Sequence, residues 1–161
     1  MQVFHYTRAA KIPAILREGK IRKTTTYFRG DRPAVWVSSN DQWDNGAGCL
    51  VRYEGPDRRL FGRDLVSDYD SPPLAFMTLI PARIRINTRR EVLVPWTEHR
   101  KTIPEWVAER KERGGIMLCA DVNEWFVIYR DVPKSSFVAV QEWTGDEWIN
   151  YDQKGVNYGK I

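Results

Sequence analysis

The sequence predicts an α+β protein with many short, mostly antiparallel strands and two helices. Three observations carry this. Short runs of β-branched and aromatic residues recur along the chain, several of them flanked by Gly, Pro, Asn, Asp or Ser. Two stretches combine helical spacing of apolar residues with start or stop signals. No internal repeat, linker or low-complexity tract divides the 161 residues, so residues 1–161 read as a single domain.

Residues 3–6 read as a strand, and Thr7 begins a turn. Ile12, Ile15 and Leu16 have helical spacing. Pro13 suits the first turn, where its missing N–H would have no partner anyway. Gly19 is placed to end that helix. Residues 21–30 are basic and Thr-rich and read as an irregular connection. Ala34-Val35-Trp36-Val37-Ser38-Ser39 reads as a strand ending in two hydroxyls. Asp44-Asn45-Gly46-Ala47-Gly48 follows as a break; it lacks the third Gly and the strand–turn–helix setting of a dinucleotide fingerprint.

Residues 50–53 and 74–80 read as strands. Between them, residues 54–73 are rich in Gly, Pro, Asp and Arg and read as a long loop that could act as a lid. Residues 82–86 alternate as a half-buried strand should. Residues 92–94 form a short strand. Thr102-Ile103-Pro104-Glu105 has the form of a capping box, which starts a helix to about Arg113 with Gly114-Gly115 ending it. Residues 125–129 and 137–143 are two more strands. Thr144-Gly145-Asp146 turns the chain into a last strand, residues 147–151.

Composition limits the function. Hydrophobic residues make up 42% of the chain, enough for a core without metals or disulfides. Cys49 and Cys119 form no spaced framework, and two His cannot complete a Cys/His zinc site of ordinary spacing. The start, Met1-Gln2-Val3-Phe4, lacks the basic and apolar regions of a secretory signal. No apolar run reaches membrane-span length. A reduced, cytoplasmic setting without membrane insertion is the expectation. The formal net charge of +4 is compatible with nucleic acid or an anionic substrate.

Few residues are suited to chemistry. His5 lies on the first strand, where an imidazole can donate to a ligand hydroxyl while Tyr6 offers a ring for stacking; a half-buried structural His is the alternative. Ser38 and Ser39 can hold a ribose or an amide, or simply start a turn. Glu124 is a carboxylate at the entry to an apolar strand, placed to stabilise positive charge. Glu91 has the same local form, Glu142 reads as facing solvent, and Glu105 is assigned to capping. No Ser–His–acid order and no His pair at metal spacing is present, which argues against a metallohydrolase.

Together these segments resemble the ADP-ribosyltransferase superfamily, in particular the prokaryotic branch that includes DNA-targeting ADP-ribosyltransferase toxins. Phe4-His5-Tyr6-Thr7 followed by Ile15-Leu16-Arg17-Glu18-Gly19 resembles the family's opening motif. Val35-Trp36-Val37-Ser38-Ser39 is similar to its second motif. Glu124-Trp125-Phe126-Val127, followed by Val132-Pro133 and Phe137, is similar to its third. The resemblance implies short, mostly antiparallel strands in two packed sheets with a few helices. It implies NAD as substrate, no metal, and transfer of ADP-ribose with release of nicotinamide. It assigns His5, Tyr6, Thr7, Ser38 and Ser39 to NAD and Glu124 to catalysis, with Glu91 and then Glu142 as competitors.

The position two residues before Glu124 is Val122, unlike the Glu or Gln of the protein-arginine-modifying branch. The His and Arg set of an RNA 2′-phosphotransferase is also missing. Arg29, Arg32, Arg58, Arg59 and Arg63 favour a nucleic-acid acceptor, DNA or RNA, over a protein one. A toxin, phage effector or defence component is implied, with an antitoxin or host protein as a further partner. The alternative is an inactive module of the same fold that binds nucleic acid or protein.

Overall fold

The computed structural model describes residues 1–24, 29–42, 44, 81–117, 120–144 and 146–151. The strands expected at 50–53 and 74–80, the loop 54–73 with Arg58, Arg59 and Arg63, Cys49, Cys119 and Gly145 lie outside the described residues. The architecture is α+β. In chain order it comprises β1 (Val3–Arg8), α1 (Ile12–Glu18), β2 (Lys20–Ile21), β3 (Val35–Ser38), β4 (Pro81–Ile86), β5 (Val94–Pro95), α2 (Trp96–His99), α3 (Glu105–Met117), β6 (Trp125–Ile128), β7 (Val132–Pro133), β8 (Phe137–Trp143) and β9 (Trp148–Asn150). Seven strands form one sheet in the order β5-β6-β3-β1-β4-β8-β9, and β2 pairs with β7 in a second, much smaller one. Every described pairing is antiparallel.

Period-2 alternation sorts the large sheet into two faces. One face is aliphatic: Val3, Val35, Val37, Ala82, Ile84, Ile86 and Ile128 are buried there with Ile12 of α1. Ile15 and Leu16 pack onto the same cluster, and Ile21 and Val132 tie the small sheet to it. The α1 signals behave as their chemistry requires. Pro13 sits in the first turn, and Gly19 takes the left-handed conformation at φ 71°. Its N–H donates to the Ile15 carbonyl at 3.0 Å.

The other face is aromatic. Trp36, Trp96, Trp125, Val127, Ile103, Val107 and Ala108 bury together under α2 and α3. Trp36 meets Trp125 edge-to-face at 6.0 Å and Trp96 meets Trp125 at 5.8 Å, the edge-on arrangement that ring quadrupoles favour. His99 is enclosed among these rings, 5.3 Å from Trp36, and shares a 2.9 Å hydrogen bond through Nδ1 with the Tyr129 hydroxyl.

Several local expectations are corrected. The first strand does not turn at Thr7 but continues to Arg8, because β4 pairs with all six of its residues. A third helix, α2, is present; four residues are too short to show a period in sequence. Thr102 forms no capping box. Its hydroxyl donates back to the His99 carbonyl at 2.8 Å, and Glu105 pairs with Arg100 instead. Glu142 does not face solvent but is fully buried on the aliphatic face, opposite Ala82.

α3 also runs through Gly114-Gly115 to Met117 rather than stopping there. Gly115 is in the helix because the ring of Trp125 occupies the space a side chain would take. A Cβ there would lie 2.4 Å from Trp125 Cη2. In a solvent-facing helix, Gly→Ala gains roughly 1 kcal/mol. Here Gly115→Ala is expected to lose about 1–3 kcal/mol by overpacking, since Trp125 is wedged between two other indoles. Urea unfolding gives the sign directly; a stabilised variant contradicts the packing described.

Candidate functional site

β6, β3 and β1 are neighbours in the sheet. Ser38 stands opposite Phe4 on one side and opposite Trp125 on the other. The entry of β6, the exit of β3 and the first half of β1 therefore share one end of the sheet. Glu124, Ser38-Ser39-Asn40 and His5 gather there.

His5 is half-buried, and its Nδ1 lies 2.9 Å from the Trp36 carbonyl. A carbonyl only accepts, so Nδ1 carries the proton and a neutral ring leaves Nε2 as an acceptor. Burial pushes the imidazole below its ordinary pKa, with the Trp36 bond opposing, so the neutral form is favoured. With Nδ1 committed to Trp36, Nε2 of the neutral ring can accept a hydrogen bond but not donate one.

Tyr6 is fully enclosed, with its ring between Phe4 at 6.2 Å and Trp148 at 6.1 Å. Burial raises its phenol above the ordinary range, and the protonated hydroxyl donates to the Asn40 carbonyl at 2.6 Å. The stacking role expected of Tyr6 gives way to a supporting one beneath the site. Arg83 completes that support: its guanidinium lies over the Phe4 and Trp148 rings at 4.5 and 4.3 Å and donates to Gln141 and to the Asp41 carbonyl.

Ser38 is also fully buried, and its Oγ accepts the Asn40 N–H at 3.1 Å. That is the turn-forming role, not a ligand contact. Ser39 is half-buried and its N–H donates to the Glu124 carbonyl at 2.9 Å. Thr7 is buried two residues further along β1, opposite Ala82 and away from the Glu124 end.

Glu124 closes a short 3-10 turn, Val122–Glu124, whose Asp121 side chain accepts the Asn123 N–H. Its side chain is half-buried, and Oε2 accepts from Asn40 Nδ2 at 2.8 Å. The competitors lie elsewhere. Glu91 is buried and bound to Ser136 Oγ at 2.5 Å and to Arg130, which follows the opposite end of β6. Glu142 is on β8, four places across the sheet from β6.

Asn40 was not legible as a site residue. A Ser-Ser-Asn strand end reads as a turn, and nothing in one sequence links it to a glutamate 84 positions away. Among the described residues, no cluster of three His, Cys, Asp or Glu could hold a metal ion, and no helix is long and apolar enough to cross a membrane. No family model, curated protein or solved structure matches the chain.

Proposed function

We propose that the protein is an NAD-dependent mono-ADP-ribosyltransferase built on an ADP-ribosyltransferase-like fold. The observation that carries this is the strand order β6-β3-β1, which brings the three motif segments to one end of one sheet. Two strand spacings and two residue rises put the Cα atoms of His5 and Glu124 about 12 Å apart, a separation that one bound sugar can bridge through the two side chains.

The chemistry fits the residues. Nicotinamide leaves with the electron pair of its bond to ribose C1, and the sugar becomes oxocarbenium-like. Glu124 supplies a fixed negative charge for that cation and an acceptor for the ribose 2′-hydroxyl. Neutral His5 accepts from a second ribose hydroxyl through Nε2. The acceptor nucleophile then bonds to C1 and loses its proton. A macromolecular acceptor, nucleic acid ahead of protein, is favoured by the charge of +4 and by the exposed Arg29 and Arg32.

Incubation with NAD labelled on its adenylate half, together with single-stranded DNA, RNA and protein acceptors, tests the reading. Label passes to an acceptor as nicotinamide is released. A wild-type protein that neither binds NAD nor releases nicotinamide overturns it.

A further inference from the structure

A carboxylate that stabilises a short-lived cation must be held in one direction, and an unrestrained Glu side chain has several rotatable bonds to lose. Among the described residues, the hydrogen bond that restrains the Glu124 side chain comes from Asn40. Asn40 is fixed at all four of its polar groups. Its N–H donates to Ser38 Oγ at 3.1 Å and its carbonyl accepts from Tyr6 at 2.6 Å. Its Oδ1 accepts the Gln42 N–H at 2.9 Å, and its Nδ2 donates to Glu124 Oε2 at 2.8 Å.

This network sets the amide orientation. If the amide were flipped, its NH2 would face the Gln42 N–H and its oxygen would face the carboxylate, two repulsive contacts. The bond to Glu124 is therefore a donor-to-carboxylate bond, the stronger charge-assisted kind. Ser39 holds the Glu124 main chain from the same turn. Tyr6 has no path to a ligand, and its hydroxyl serves to lock Asn40 from below.

We infer that Asn40 is the positioning residue for Glu124, holding one carboxylate oxygen so that the other is presented to the ribose. Tyr6 secures Asn40 in that role. The inference rests on the NAD-cleaving reading above.

The test compares nicotinamide release by wild type, Asn40→Asp and Tyr6→Phe. Asn40→Asp keeps the shape and the acceptor for Gln42 but replaces the donor to Glu124 with a carboxylate oxygen that repels it. Its kcat is expected to fall about 10- to 100-fold, the effect of losing a hydrogen bond to a charged group, while KM for NAD stays within about twofold. Tyr6→Phe leaves the amide in place and is expected to fall about 3- to 10-fold with the same split. Should Asn40→Asp fail to fold, Tyr6→Phe decides the matter by the same criterion. An unchanged kcat in a folded variant, or a loss confined to KM, overturns the assignment. A wild-type protein that releases no nicotinamide overturns the NAD reading itself, and that is seen before any variant is compared.

Discussion

Glu124→Gln is expected to lower nicotinamide release from NAD by about 100- to 1,000-fold, the range seen when one preorganised electrostatic contact to a transition state is removed. The substitution is nearly isosteric. The Gln oxygen can still accept from Asn40 Nδ2, and the main-chain bond from Ser39 to residue 124 does not involve the side chain. On the proposed mechanism, what disappears is the negative charge facing the developing oxocarbenium, together with the acceptor for the ribose 2′-hydroxyl. The loss should fall on kcat with little change in KM, because the charge matters most when the sugar is cationic. Glu91→Gln gives the contrast. Glu91 is tied to Ser136 and Arg130 at the other end of β6, so its replacement should lower stability and leave kcat of the folded protein near wild type. A reversed pattern would move the catalytic carboxylate to Glu91.

The second large effect is on stability in acid. His99 is completely buried among Trp36, Trp96 and Tyr129, and its pKa is pushed down to about 4. Desolvation is the main cause. Lys111 and Arg32 add to it, and Asp31 opposes it. The folded-state pKa lies below the unfolded value of about 6.5, so the unfolded chain binds the proton first. The stabilisation is complete above pH 6.5 and is lost as pH falls toward 4. At about 1.4 kcal/mol per pH unit, it amounts to about 3 kcal/mol by pH 4. His5 titrates in the same direction, so the two must be separated. His99→Phe removes the titration and keeps an aromatic ring. Urea unfolding between pH 7 and 4 should show this variant losing about 2–3 kcal/mol less than wild type. Equal losses in the two proteins would mean that His99 is not held neutral in the fold.

Much of the framework was legible in the sequence because its signals are local. The Pro13 start and Gly19 stop of α1 depend on backbone geometry within a few residues, and both hold. The alternation of residues 82–86 reports two faces wherever the strand sits in the sheet. Signals that depend on a distant partner were misread. Gly115 looks like a helix terminator until Trp125 is known to lie against it. Glu142 looks solvent-facing until Ala82 and the aliphatic face are placed beside it. Thr102 looks like a cap for the helix ahead, but its hydroxyl donates to the His99 carbonyl behind it.

The site divides the same way. His5 and Glu124 stood out because each is a scarce or oddly placed residue type on a strand. The proton direction at His5 was not readable, since it is set by the Trp36 carbonyl on the neighbouring strand. Asn40 was hidden because its role exists only through Glu124, and Tyr6 and Ser38 proved to be supports enclosed beneath the turn. Adjacency in the sheet, not adjacency in the chain, made the site.

Contact between NAD and His5 is central to the proposed function, and nitrogen NMR of the histidine rings measures it directly. The chain has only two histidines, and His99 serves as the internal control. Glu124→Gln protein labelled at its ring nitrogens is titrated with NAD, so that the substrate persists during the measurement. Saturable movement of the His5 Nε2 resonance in the direction of an accepted hydrogen bond, with His99 unmoved, is the predicted result. A His5 resonance that stays fixed at saturating NAD contradicts the account.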